Sequence, residues 1–461
     1  MRKSLRAVGE KATLGSGSLL SSPSKGAIQK EGFHVKKFLA LLLGLMMIVS
    51  MLSVASAESS PVTISVWCAY AGEDPYGKYS YEYAEKFMAA NPGIKVEVTA
   101  VSSNDIYAKL AAMATTPDDL PTLFYTSADQ APSLVDIGLV EDMTNYLTAD
   151  ELAAFGNGVV DGCQVGGIMA YFPIDLQPLA VLYRIDRFEE AGLTPPATWD
   201  EFLAASQALT KDTNSDGTAD EWGFSMVGSN NSSGQSRFMS YLWSNGLKVV
   251  FKDGDQWKTD IDTPEFLKAF TFWTDMNNVH KVVPEGITEI TYPTAANYFA
   301  MGYTSMMVSG GNAMGVTYAA APDLKGKIGT FPMPGSEPGS MMNTEGYALS
   351  KNATEEQKKA AVEYCKFYAS NDAEMRFWQE SGKLPSSAAG LASEYLQGQD
   401  YAGFLQTIAN GCRPVNDFPG MGALKQLLGD AYSAVFAGEK TNEQAVADLS
   451  AGMTELLEDY N

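Results

Sequence analysis

Strand-like and helix-like stretches alternate without a break from Val62 to Ser127, and this limits the fold more than any other feature of the chain. "VTISVW" (62–67) reads as a buried strand, and "YSYEYAEKFMAANPG" as a helix stopped by Asn91, Pro92 and Gly93. "IKVEVTAV" alternates like a strand, "NDIYAKLAAMA" is helical with Asn104 as its expected N-cap, and "PTLFYTS" is a strand again. Helices between successive strands predict βαβ units around a mainly parallel sheet, so the fold class is α/β. The second half is richer in helix. In "TWDEFLAASQALT", Trp199, Phe202, Leu203 and Leu209 fall at helical spacing behind Thr198, with Glu201 completing a capping box. "TPEFLKAFTFWTDMNNV" opens similarly at Thr263, and "TEEQKKAAVEYCKFYAS" and "NEQAVADLSAGMTELLEDY" are amphipathic helices whose apolar stripes face a core.

Ahead of this region, "VKKFLALLLGLMMIVSMLSVASA" (35–57) joins two lysines, an apolar run and Ala55-Ser56-Ala57. That is the pattern of an export signal with its cleavage site. The run from Phe38 to Val54 falls short of a membrane span, so cleavage is expected over anchoring, and the mature protein is expected in the periplasm or at the cell surface. Residues 1–34 are polar and aperiodic, upstream of a complete signal. Val35 is where a GTG start codon would read as valine, and 1–34 is expected to be a mis-called extension.

The chain carries 32 Lys and Arg against 55 Asp and Glu, net −23, and loss of the basic leader makes it more acidic still. Such a balance repels nucleic acid and anionic lipid. Cys68, Cys163, Cys365 and Cys412 allow three pairings that spacing does not separate, and no C-x-x-C supports a zinc or redox site. After the leader the one histidine is His280, which excludes a multi-histidine metal centre. No nucleophile elbow, Walker A or H-E-x-x-H occurs, and "GNGVVDG" (156–162) is one residue too long for a dinucleotide fingerprint.

"DTNSDGTADEWG" (212–223) spaces its polar side chains like a calcium loop. Asp212, Asn214, Asp216 and the Thr218 carbonyl fit the first four liganding positions, with Gly217 at the turn and Asp220 further on. The position of the bidentate glutamate is Gly223, and the strand-like "WGFSMV" replaces the second helix, so the sensor arrangement is broken. Two readings remain: a structural calcium, or Asx residues making turns.

At "AYFPIDLQPLAVLYRIDRFEEAGLTPPATWDEFLAASQALT" (170–210) the chain resembles the family one extracellular solute-binding proteins, the sugar-binding components of bacterial ABC importers to which maltose-binding protein belongs. "ISVWCAYAGEDP", "LPTLFYTSADQAPSLVDIGLVEDMTNYL", "YTSMMVSGGNAMG" and the stretch from "TEGYALSKN" to "QESGKLP" agree in order and spacing. The resemblance implies a type II, two-lobe fold of the periplasmic-binding-protein kind, each lobe a mainly parallel sheet flanked by helices. It places the three chain crossings near Phe172–Asp175, Lys327–Pro332 and Lys383–Ser386. Lobe one would be 58–172 with 333–383, and lobe two 175–327 with 386–461.

A pyranose offers apolar ring faces to aromatic plates and a rim of hydroxyls to carboxylates and amides. Ligands of α/β sheets lie at the carboxyl ends of strands, which points to Trp67 and Tyr70 after the first strand and Asp129 after the third. By resemblance Asp129 accepts a sugar hydroxyl, and Asp175 is a polar ligand contact or a hinge cap. Trp243 and Asn245 are the candidates in "FMSYLWSNG". Gly311 and Asn312 are those in "VSGGNAMG", where Asn312 replaces the family's aromatic and suggests an amide contact. Glu345 stands where the family has an aromatic or small residue, and Arg413 is placed to close over a ligand. The resemblance thus implies a monomer that binds a sugar or oligosaccharide by hinge closure and passes it to a membrane permease, without catalysis or a required cofactor. A secreted glycoside hydrolase, or a receptor for another solute, is the alternative.

Overall fold

The computed structural model describes residues 60–69, 75–116, 119–335, 339–369, 379, 381–414 and 418–461. The export signal, the leader before it and Tyr70 lie outside them. The opening alternation forms β1 (Val62–Cys68), α1 (Pro75–Ala90), β2 (Ile94–Ala100), α2 (Ser103–Met113) and β3 (Leu123–Ser127). β1 runs parallel to both β2 and β3, as helical crossovers require. α2 begins two residues earlier than its sequence suggests: Ser102 takes the N-cap position, not Asn104.

Beyond β3 the strands no longer follow one another through helices. β4 (Phe172–Pro178) leads directly into β5 (Ala180–Arg184), and β6 (Trp222–Ser225), β7 (Thr304–Ser309) and β8 (Ile328–Pro332) follow. β9 (Met341–Leu349), β10 (Leu384–Pro385) and β11 (Arg413–Pro414) complete the two large sheets, and two short hairpins, Gln164–Val165 with Ile168–Met169 and Val250–Asp253 with Gln256–Thr259, stand apart from them. One sheet of seven strands has the order β10-β4-β9-β3-β1-β2 with β11 beside β9, and one of four has β8-β5-β7-β6. β9 is antiparallel to β3 and β4, and β5 is antiparallel to β7 and β8. Both sheets are therefore mixed, with the parallel pairs β1–β2, β1–β3, β9–β11 and β6–β7.

The sheets carry separate apolar cores within one compact unit, Pro61–Asn461. The first core gathers β1–β3, Phe172, Ile174, Tyr347–Leu349 and helix α8 (Glu355–Tyr368). The second gathers Ala128, Val159, β4 from Leu176 onward and the helices of the smaller sheet. Those used below are α3 (Trp199–Leu209), α4 (Ser232–Ser244), α5 (Pro264–Asn278), α6 (Tyr292–Ala300) and α7 (Asn312–Ala320). They are followed by α9 (Gln399–Asn410), α10 (Met421–Phe436) and α11 (Asn442–Glu458). Local rules set the helix starts. The Thr198 hydroxyl accepts from the Glu201 amide at 3.2 Å while the Glu201 carboxylate accepts from the Thr198 amide at 3.2 Å. Thr354 and Thr441 form the same box with Gln357 and Gln444, and Thr263 caps α5.

The chain changes sheet at Leu179 and between Pro332 and Met341, just after the prolines that end β4 and β8; after Pro385 it enters the helices of the second core before β11 returns to the larger sheet. Cys163, Cys365 and Cys412 are free thiols. No helix among the described residues is long and apolar enough to cross a membrane.

Candidate functional site

The border between the two cores runs through β4 between Ile174 and Leu176, so Asp175 sits on it. Antiparallel pairing sets Glu345 of β9 directly opposite Asp175, and Pro385 of β10 faces Asp175 from the other side. Like charges facing each other across a strand pair destabilise it. Here the Lys383 ammonium lies against both, 3.2 Å from Asp175 Oδ2 and in contact with Glu345 Oε2. Gln177 donates to Glu345 Oε1 at 2.6 Å, whereas Asp175 Oδ1 has no hydrogen-bond partner. Asp175 is 1% exposed. Burial pushes its carboxyl up to about 7; Lys383 pulls it down and Glu345 pushes it further up.

Gln177 also borders a cavity of about 280 Å3 with walls from both sheets. Asp129 and Asn343 reach it from the larger sheet; Ser233, Arg237, Tyr292 and Asn312 reach it from helices of the smaller one, and Lys425 from α10. Asp129 follows β3 and is fixed by the Ser127 hydroxyl, which donates to it at 2.6 Å. The cavity lies just under the usual span of small-molecule pockets, roughly 300–1,000 Å3, a size that favours a single ring over a chain. A larger hollow of about 530 Å3, between Pro195–Ala197 and α9, has no charged side chain in its walls, its polar groups being Ser340, Gln406, Thr407 and Asn410.

The structure brings only some of the expected residues together. Asp129 and Asn312 border the cavity. Asp175 and Glu345 lie beneath it, tied to its wall through Gln177. Gly311 lies against Gly382 so closely that a Cβ on either would overlap the other's carbonyl oxygen. Trp67 is half-buried in β1 and is not among the residues that line the cavity. Trp243, Asn245 and Arg413 form a separate group: the guanidinium lies 5.6 Å from the centre of the Trp243 ring and donates to the Leu247 carbonyl at 3.3 Å, while Asn245 ends α4. Trp243 itself is buried.

Sequence reasoning missed Gln177, Arg237, Tyr292, Asn343 and Lys425. A signal existed for Lys425: it falls on the helical stripe of Met421, Leu424, Leu428 and Tyr432, an apolar face where a lysine needs a reason. Arg237 lies in a helix buried throughout from Gly234 to Ser244, for which polar residues such as Ser236 and Ser240 gave no apolar stripe to read.

In the 212–223 loop the polar oxygens turn toward the loop's own main chain. Asp212 accepts from the amides of Asp216 at 3.2 Å and Gly217 at 2.8 Å. Asn214 accepts from Asp216 at 2.8 Å and Asp216 from Thr218 at 2.9 Å, while Asp220 holds the Thr213 amide at 3.0 Å. These are Asx-type turns. Among the described residues no group of three or more His, Cys, Asp or Glu is arranged to hold a metal ion.

Two αβ bodies, three chain passages and a polar cavity between the sheets define the class of bacterial solute receptors. A sequence profile described as "Bacterial extracellular solute-binding protein" matches residues 70–375, and the chain belongs to that family. A putative binding protein of Brucella abortus (strain 2308) is 24% identical over 92% of this chain and 99% of its own length. Among solved structures, a solute-binding protein of Thermotoga lettingae bound to α-D-tagatose superposes with a TM-score of 0.74 at 22% identity, covering 86% of this chain and all of that one. Maltose-bound MalE3 of T. maritima gives 0.73 at 22% identity with the same coverage. At such identity these superpositions show the fold, the type II arrangement of two αβ bodies.

Proposed function

We propose that the chain is the exported receptor of an ABC importer, holding a sugar in the cavity between its two sheets and handing it to a membrane permease. The observation that carries this reading is the cavity itself. It draws Asp129 and Asn343 from one sheet's side and Asn312, Arg237 and Tyr292 from the other's, so one ligand touches both bodies. A ligand with contacts on both sides stabilises the closed arrangement by its differential affinity. The tagatose- and maltose-bound neighbours support a sugar as the solute. The lobes would follow the assignment 58–172 with 333–383 and 175–327 with 386–461, exported by the signal at 35–57, with a monomer as the working unit. A glycoside hydrolase would need two carboxylates at the bond to be cut, and Asp129 is the one carboxylate among the described residues that line the cavity.

A melting screen against monosaccharides and short oligosaccharides tests the reading, because a ligand of the folded state raises melting by RT ln(1 + [L]/Kd). At least one sugar is expected to stabilise the protein, and chromogenic glycosides are expected to show no turnover. Release of chromophore would assign the cavity to hydrolysis instead.

A further inference from the structure

Two cations border the cavity with no carboxylate against them. Arg237 is 7% exposed. Its Nε donates to the Val308 carbonyl at 2.7 Å, its Nη1 to the Ser233 carbonyl at 3.0 Å and to the Ser233 hydroxyl, and its Nη2 to Ser309 Oγ at 3.4 Å. The Tyr292 ring centre lies 5.0 Å from the guanidinium. Every one of these partners is neutral. Lys425, 5% exposed, donates from Nζ to Ser232 Oγ at 3.0 Å, again a neutral acceptor. Neither cation forms an ion pair with a described carboxylate. Burial pulls Arg237 down to about 10 and Lys425 below its ordinary value, which Asp129 partly opposes.

A buried charge with no partner is costly, and a fold that holds two at one cavity wall leaves their pairing to the cavity's contents. Other groups agree. Tyr292 Oη and Asn343 Oδ1 are buried without a hydrogen-bond partner, so both are unspent at the same cavity. Helices α4 and α7 begin at its wall with Ser232 and Asn312, adding the positive ends of their dipoles. Counting charges at the wall, Arg237 and Lys425 against Asp129 leave one positive charge. A carboxylate cancels it, whereas a phosphate, at roughly −1.5 to −2, overshoots.

Resting on the reading of the chain as a sugar receptor, we propose that the ligand is a monosaccharide-sized sugar acid, its carboxylate held by Arg237 and Lys425 and its hydroxyls by Asp129, Asn312 and Asn343. The network of Asp175, Glu345 and Lys383 is already paired and lies below this level, with Gln177 as its link to the wall.

The test is calorimetry and melting of the mature protein with glucuronate, galacturonate and gluconate, beside glucose, galactose and glucose 6-phosphate. At least one acid is expected to bind while its uncharged parent does not. Lys425→Met is expected to weaken that acid about 10- to 100-fold, the worth of a charge-assisted hydrogen bond. An uncharged sugar that binds as well as its acid would overturn the proposal and leave the sugar receptor standing. A sugar phosphate that binds where no acid does would overturn it too, as would undiminished binding of the acid to K425M. If no sugar of either kind binds, both readings fall. The comparison of ligands needs no variant, so a folding defect in K425M does not blunt it.

Discussion

Asp175 and Glu345 face each other across neighbouring strands with a single lysine between them, and burial raises the Asp175 carboxyl. Asp175 takes up its proton near pH 7 in the folded chain, far above the roughly 3.9 of an unfolded aspartate. A carboxyl raised in this way binds more protons folded than unfolded through that interval. Its contribution is therefore present below about pH 4 and is lost as pH rises through about 7. Asp175→Asn should remove that slope. Melting curves taken from pH 5 to pH 8 are expected to show the unsubstituted protein losing ground to D175N, and parallel curves would mean that Asp175 is ionised throughout. Some of this residue-level detail was legible in the sequence. Asp129 is marked by its place after a strand, and Asn312 by the family turn in which it replaces an aromatic; both border the cavity. Asp175 and Glu345 were picked out as ligand contacts, but strand register, which joins residues far apart in sequence, makes them partners of Lys383. Arg237 and Lys425 escaped because burial of a charged side chain is a tertiary fact.

At the level of elements, local chemistry decided what could be foreseen. The β1-α1-β2-α2-β3 order and the Thr198, Thr263, Thr354 and Thr441 caps follow from short-range rules, and all are present. The antiparallel entry of β9 between β3 and β4 does not follow from them, since its partners, from Pro178 opposite Met342 to Leu123 opposite Leu349, lie 164 to 226 positions away in the chain. The loop at 212–223 is a second case where spacing alone left two answers. Its oxygens hold the amides of Asp216, Gly217 and Thr218, which favours the turn reading. Scanning calorimetry with calcium and with chelator is expected to give the same midpoint. A rise in calcium of several degrees would restore the cation reading, because a ligand that binds only the folded form must stabilise it.

For the molecule as a whole, two cores meet at a seam in β4 and β9, and the receptor proposed above would tilt its two bodies about that seam. Small-angle scattering with a saturating sugar should show a lower radius of gyration than without. An unchanged profile alongside calorimetric binding would mean that the cavity fills without closure. The type II plan was legible from the resemblance. The sheet directions were not, because in this plan strands are exchanged between the halves and enter against the run of their neighbours. One contact near the seam limits what such a joint can do. Gly311 and Gly382 abut main chain to main chain, and Gly382 holds a backbone with φ of 72° that side chains rarely adopt. A bearing made of two bare backbones has no rotamer to adjust and no charge to titrate, so its clearance stays fixed whatever the pH or salt outside the cell.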